Sequence, residues 1–165
     1  MKILVMKFGG TSVADVKRIE NVASIIEENY KNYKLVVVLS AMAGTTNLLQ
    51  KLINEIDYPS SVENDLIITS GEQVTVGLLS MLLNKMGIKS KPMLGWQVPI
   101  ITDSTAQESK ILNINDKYIK AVLEKYDVIV LTGFQGVDTN CNITSIGRGG
   151  TDTTAAAVAV ALKAE

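Results

Sequence analysis

The sequence predicts an α/β fold built on a largely parallel sheet, and three observations predict it. Short apolar runs at 2–8 (KILVMKF), 34–40 (KLVVVLS) and 127–132 (DVIVLT) read as buried strands. Segments whose apolar residues recur at helical spacing lie between them, the pattern of strand–helix–strand units. Each of the three strands ends in small or polar residues: Gly9-Gly10-Thr11-Ser12, Ser40-Ala41-Met42-Ala43-Gly44-Thr45, and Gly133 to Gly136. In a parallel sheet these ends open on one edge, and ligands bind there.

The elements follow in order. After the first strand, Val16, Ile19, Val22, Ala23 and Ile26 mark one face of a helix. The second strand leads into a small-residue loop and a helix from Asn47 that carries Leu48, Leu49, Leu52, Ile53 and Ile56. Pro59-Ser60-Ser61 is a break. Residues 65–86 read as one long helix with Ser70-Gly71-Glu72-Gln73 inside it. A glycine inside a helix costs about 1 kcal/mol relative to alanine, so Gly71 predicts a close approach by another element. Residues 89–114 read as short strands and turns around Pro92, Gly95 and Pro99, and 116–125 as a short helix. Residues 137–146 suggest a hairpin around Asp138-Thr139-Asn140. A turn of Gly147-Arg148-Gly149-Gly150 then runs into an Ala/Val-rich helix, Ala155 to Ala164. That helix is apolar nearly all round and has no Gly or Asn stop, which predicts burial by a further strand that would follow it.

Composition removes several function classes. A chain of 165 residues suits one domain with a real core. A net charge of -1 offers no basic surface for nucleic acid. No apolar run is expected to cross a membrane, and Lys2 and Lys7 bracket too few apolar residues for a signal peptide. The single cysteine, Cys141, excludes an internal disulfide and sits in a polar turn without a base, which predicts an inert thiol in a cytoplasmic protein. Histidine is absent, so a Ser-His-Asp triad and a His-ligated metal site are excluded.

The remaining polar residues suggest anion chemistry. Arg148, one of only two arginines, lies among glycines just before a helix N-terminus. A guanidinium there can grip a carboxylate or phosphate with two parallel bonds, beside the positive end of the helix dipole. The competing reading is a helix start capped by Thr151 or Asp152, with Arg148 in solvent. Lys7 precedes Gly9 at a strand end, where backbone N–H groups and an ammonium could cradle phosphates; a solvated lysine is the alternative. Neither G-x-x-x-x-G-K-S/T nor G-x-G-x-x-G occurs, so a phosphate site would be of another type. Glu72 could accept from a ligand amine or lie on a helix surface; Ser40 and Thr45 could hold a carboxylate or cap the next helix; Asp152 could hold Lys7 or complement the dipole. Trp96 and Phe134 read as packing. Together one Arg, one Lys, one Glu, several hydroxyls and three glycine loops suit a polyphosphate beside a small zwitterionic acid. A carboxylate acceptor, with an ordinary pKa near ~4, needs no general base, so positioning and charge neutralisation suffice for phosphoryl transfer.

Six motifs in order make the chain resemble the aspartate kinases of the amino acid kinase family. They are Lys7-Phe8-Gly9-Gly10-Thr11-Ser12-Val13, Ser40-Ala41-Met42-Ala43-Gly44-Thr45-Thr46-Asn47, Ser70-Gly71-Glu72-Gln73, Gly95-Trp96-Gln97, Gly133-Phe134-Gln135-Gly136, and Gly147 to Thr154. The resemblance covers nearly the whole chain. It implies a three-layer αβα sandwich and ATP-dependent phosphorylation of the L-aspartate side-chain carboxylate, the first step toward lysine, threonine and methionine. It implies that Lys7 stabilises the transferring phosphoryl group, with Phe8, Gly9, Gly10 and Ser12 at the phosphates. Glu72 would face the aspartate amine. Arg148 would clamp a carboxylate amid Ser40, Ala41, Thr45, Gly149, Gly150 and Thr151, and Asp152 would orient Lys7. ATP with Mg2+, no metal site of the protein's own, and a homo-oligomer are implied as well. Three departures stand out: Thr151 where serine is usual, Val98-Pro99 in place of smaller residues, and an end at Glu165. By resemblance, residues 1–165 form the N-terminal aspartate- and phosphate-binding part of the kinase domain, without the ATP-nucleoside half or ACT regulatory domains. Another amino acid kinase and a non-catalytic assembly module are the rival expectations.

Overall fold

The computed structural model describes residues 2–59 and 61–165; Ser60 of the expected break lies outside the described residues. In chain order the elements are β1 (Ile3–Phe8), α1 (Val16–Asn29), β2 (Lys34–Leu39), α2 (Thr45–Ile56), α3 (Val62–Ile68), α4 (Gly71–Lys85), β3 (Ser90–Met93), β4 (Ile100–Thr102), β5 (Ile111–Ile114), α5 (Asp116–Lys125), β6 (Val128–Thr132), β7 (Gln135–Val137), β8 (Ile143–Ser145) and α6 (Gly150–Leu162). A short 3-10 turn, Gly10–Val13, follows β1.

Alternation along β2 and β6 explains the layering. Side chains of a strand point to opposite faces in turn. Val36, Val38, Ile129 and Leu131 face one core, where Ile119 and Leu123 of α5 and Val158 and Leu162 of α6 cover them. Leu35, Val37, Leu39, Val128 and Val130 face the other, under Ile19, Val22 and Ile26 of α1 and Leu79 and Leu83 of α4. Both faces are apolar, so both must be covered, and the result is the expected three-layer αβα sandwich. The sheet has the order β1-β2-β6-β3 and is parallel throughout. Each fully buried aliphatic side chain contributes about 1.5–3 kcal/mol. Ile129→Val, which removes one methylene from the sheet's centre, should cost about 1 kcal/mol. A lower urea midpoint at unchanged slope would show it; no change in midpoint would mean that Ile129 lies outside the cooperative core.

The short strands after α4 do more than punctuate the chain. β5-β4-β7-β8 form a second sheet, with β4–β5 and β7–β8 antiparallel and β4–β7 parallel. The expected hairpin is β7–β8. Its union with β4 depends on the pairing of Ile101 with Val137, a long-range contact that no local pattern announces.

Three helix boundaries differ from expectation. The 65–86 helix is two helices, α3 and α4, divided at Thr69-Ser70, whose hydroxyls bond back to Asp65 O and Ile67 O. Gly71 therefore opens α4 instead of interrupting it. The close approach is real: a Cβ on Gly71 would stand 2.8 Å from Ala41 Cβ. The same region bears on the membrane expectation, and leaves it standing. Val62–Lys85 has the length and a mean hydropathy of 1.5 that would suit a crossing, yet the turn divides it and α4 buries Val76, Leu79 and Leu83 in the core. α2 begins two residues early, at Thr45, and of its apolar stripe Leu48, Leu52 and Ile56 remain exposed while Ile53 is buried. α6 begins at Gly150 and does find a stop. Lys163 takes the left-handed position, with Ala164 N–H bonded to Ala159 O and Lys163 N–H to Val160 O. One side of α6 is buried, but Val160 is 79% exposed.

Candidate active site

The C-terminal ends of β1 and β2, the loop after β6 and the start of α6 surround a cavity of about 760 Å³. Its walls explain the positions of the chemically active side chains.

Lys7 stands at the penultimate position of β1. Its ammonium lies 2.8 Å from Asp152 Oδ1 in the first turn of α6. A Cβ on Gly9 would come within 3.3 Å of that ammonium, so the glycine leaves Lys7 room to reach inward. The pair is partly open to solvent, with Lys7 34% and Asp152 70% exposed. Such a pair contributes little to folding. Asp152→Asn should therefore move stability by less than about 1 kcal/mol, read from urea unfolding, and a larger loss would mark the pair as structural.

Ser40 directly follows β2 and donates its hydroxyl to Thr151 Oγ1 of α6 at 2.8 Å. Its carbonyl accepts Thr75 Oγ1 at 2.8 Å. The loop after β2 is thus tied to both α4 and α6. Neither hydroxyl caps a helix. The cap of α2 is Gly44 (φ 84) and that of α6 is Gly149 (φ 76), and neither makes a side-chain cap bond. The capping alternatives for Ser40, Thr45, Thr151 and Asp152 are thereby set aside.

Glu72 sits in the first turn of α4, only 3% exposed. Its Oε1 accepts the Ala41 N–H at 3.1 Å, while Oε2 is buried without a hydrogen-bond partner among the described residues. Burial pushes the carboxyl from 4.5 up to about 7, against the opposing pull of the Ala41 N–H. A half-satisfied buried carboxyl lining a cavity is suited to a donor brought by a ligand.

Arg148 lies between two residues in the left-handed region, Gly147 (φ 78) and Gly149 (φ 76). Only glycine holds such angles at little cost, and the double turn turns Arg148 to the cavity mouth. It is exposed and has no hydrogen bond or ion pair among the described residues.

Of the predicted residues, Lys7, Gly10, Ser40, Ala41, Glu72, Arg148, Gly149, Gly150, Thr151 and Asp152 line the cavity. Phe8, Gly9, Ser12 and Thr45 do not. Phe8 packs against the core beneath α1 and α4. Ser12 donates its N–H to Gly9 O within the 3-10 turn. Thr45 Cγ2 lies 3.0 Å from where a Gly71 Cβ would stand, so its part is to seat α4. Phe134, read from sequence as packing, lines the cavity with φ 66. Gln107, Ser145 and Asn64 also line it. Gln107 lies on a loop, Asn64 on α3 and Ser145 at the end of the short strand β8, none of them at the three strand ends singled out in the sequence; the signal available for Phe134 was its place in the Gly133–Gly136 strand end.

Comparison with known proteins follows the same lines. The profile of the amino acid kinase family matches residues 2–165. An aspartokinase of Pseudomonas aeruginosa is 49% identical across all of this chain, which covers 40% of that protein. The crystal structure of aspartate kinase from Synechocystis superposes with a TM-score of 0.82 at 38% identity, covering 99% of this chain and 27% of that one. E. coli aspartokinase III, in complex with aspartate and ADP, shares the fold at a TM-score of 0.83 and 24% identity, over 99% of this chain and 47% of that one. The chain spans about two fifths of the length of the curated relatives it matches. With the family profile matched from residue 2 to residue 165, on a parallel sheet whose strand ends carry the site, the chain belongs to the amino acid kinase family.

Proposed function

We propose that this chain is the aspartate- and phosphate-binding part of an aspartate kinase, which transfers the γ-phosphoryl group of ATP to the side-chain carboxylate of L-aspartate. The observation that carries this reading is the unpartnered, buried Glu72 Oε2 in a cavity that also presents the unpaired Arg148 and the Lys7 ammonium. A zwitterionic amino acid complements that set. Glu72 accepts from its ammonium, and Arg148 binds a carboxylate through its two-pronged donor edge. Lys7, held by Asp152, offsets the charge of the phosphoryl group. The acceptor carboxylate is ionised at neutral pH, so its oxygen forms the new P–O bond as the bond to the β-phosphate oxygen breaks, and no proton moves. ADP and an acyl phosphate result.

Among the described residues no three His, Cys, Asp or Glu side chains gather as a metal site. In this reading Mg2+ accompanies ATP, carried on its phosphates. The names of the relatives and the aspartate and ADP bound by E. coli aspartokinase III support the substrate pair. A cytoplasmic, homo-oligomeric enzyme at the head of lysine, threonine and methionine synthesis completes the reading.

Calorimetric titration with L-aspartate tests it, with L-glutamate and D-aspartate as controls. Saturable binding of L-aspartate that Glu72→Gln weakens tenfold or more is expected. A folded chain that ignores L-aspartate, or prefers a control, would overturn the assignment. One observation favours a second reading, an assembly role: α2 and α3 leave Leu48, Leu52, Ile56 and Leu66 exposed. Self-association in sedimentation without aspartate binding would favour it.

A further inference from the structure

A buried carboxyl group usually has a cation beside it, because removing its charge from water is costly. Asp65, on the third helix, is 2% exposed and makes no ion pair among the described residues. Its two oxygens accept only neutral donors. Oδ1 takes Ser145 Oγ at 2.8 Å and Gln107 N–H at 3.2 Å; Oδ2 takes Ser145 N–H at 3.1 Å and Gln107 N–H at 3.3 Å.

These donors belong to the end of β8 and to the β4–β5 loop, the two segments against which the Arg148 turn is built. Ser145 ends β8, three residues before Arg148. Its carbonyl in turn accepts both the N–H and the Oγ of Ser109, at 2.9 and 2.8 Å. Gln107 has φ 62, a strained angle for a residue with a side chain, and Asp65 accepts its N–H. Its carbonyl oxygen would lie 3.1 Å from a Cβ on Gly147, so the loop presses directly against the turn. Among the described residues Arg148 itself has no hydrogen bond or ion pair to hold it.

We infer that Asp65 is the positioning residue of the Arg148 turn: through Ser145 and Gln107 it sets from beneath the backbone that aims the guanidinium into the cavity. It touches no ligand. A carboxylate serves all three donors at once with two accepting oxygens. An asparagine has one: with its nitrogen in the Oδ2 place it faces the Ser145 N–H, and with its nitrogen in the Oδ1 place it gives up the shorter Gln107 bond and must reverse the Ser145 hydroxyl bond, so either rotamer disturbs the anchor. Arg148's work on a ligand carboxylate is the proposed function above, on which the effect on affinity rests.

The test uses Asp65→Asn and the milder Ser145→Ala, which removes one contact and keeps the backbone donors. The chain has two arginines, Arg18 and Arg148. Their Nε–H signals in a nitrogen-15 NMR spectrum report the turn and, through Arg18 bonded to Thr11 O, a site on α1 as an internal control. Both variants should shift or broaden the Arg148 signal, leave that of Arg18 in place, and weaken L-aspartate about tenfold for Asp65→Asn and less for Ser145→Ala. An unchanged Arg148 signal would overturn the inference, as would movement of both arginine signals together with the sheet amides, which marks a general structural role. If Asp65→Asn does not fold, Ser145→Ala decides by the same criteria. A wild-type chain that fails to bind L-aspartate would sink the proposed function and leave the NMR comparison intact.

Discussion

Replacing Arg148 with alanine should weaken L-aspartate binding about a hundredfold and leave the fold unchanged. The side chain is exposed and bonds to nothing else in the described protein, so its removal opens no cavity and strands no partner. Its whole effect falls on the ligand. A hydrogen bond to a charged group contributes about 1.5–3 kcal/mol, and a two-pronged pair to a carboxylate reaches roughly 3 kcal/mol, a factor of about a hundred in affinity. Arg148→Lys separates charge from shape. Lysine restores the positive charge without the planar fork and should recover only part of the loss, to about tenfold below wild type. Calorimetry of the three chains with L-aspartate, alongside their urea midpoints, measures this. Equal affinity in Arg148→Ala and wild type would remove Arg148 from the site.

The second large effect is a pH dependence of folding that originates at Glu72. Burial raises its carboxyl from 4.5 to about 7, so the folded chain holds this proton more tightly than the unfolded one. Below about 4.5 both states are protonated and the buried group contributes its full stability. As the pH rises, the unfolded chain deprotonates first, and the contribution is lost by the time the pH passes about 7. The loss amounts to roughly 3 kcal/mol. Glu72→Gln cannot ionise, so it should gain on wild type by about that amount between acid and mildly alkaline pH, in urea unfolding at a series of pH values. A constant difference between the two chains would show that Glu72 titrates normally. A ligand ammonium supplies the donor that Oε2 lacks and favours the ionised form. L-aspartate should therefore displace a proton when it binds near neutral pH, and the calorimetric enthalpy should vary with the buffer's own heat of ionisation.

The parallel sheet was legible because its signal is local. Residues 34–40 and 127–132 carry apolar side chains at successive positions, which only a strand covered on both faces can bury. The strand ends followed from the strands, and they placed Lys7 and Ser40 on one edge of the sheet. The salt link between Lys7 and Asp152 joins residues at opposite ends of the chain; it is one of the two readings open for Asp152 and the one the family resemblance implies. The division of 65–86 was not. Thr69 and Ser70 fit a helical pattern as well as a turn, and their back-bonded hydroxyls are visible only in the fold. The exposed face of α2 had the same apolar spacing as the buried face of α1, and what differs is whether another layer lies over it.

What the sequence by itself determined is the α/β architecture on a parallel sheet, the edge of that sheet on which the strand ends open, and most of the side chains gathered there, since strand runs, glycine turns and helix starts are properties of neighbouring residues. Tertiary structure alone decided the ionisation of Glu72, the left-handed entry of Phe134 into the cavity, and the dependence of the Arg148 turn on Asp65. Each of these depends on what lies beside a group after the chain has closed: how much water is removed from a carboxyl, and which distant donors converge on it.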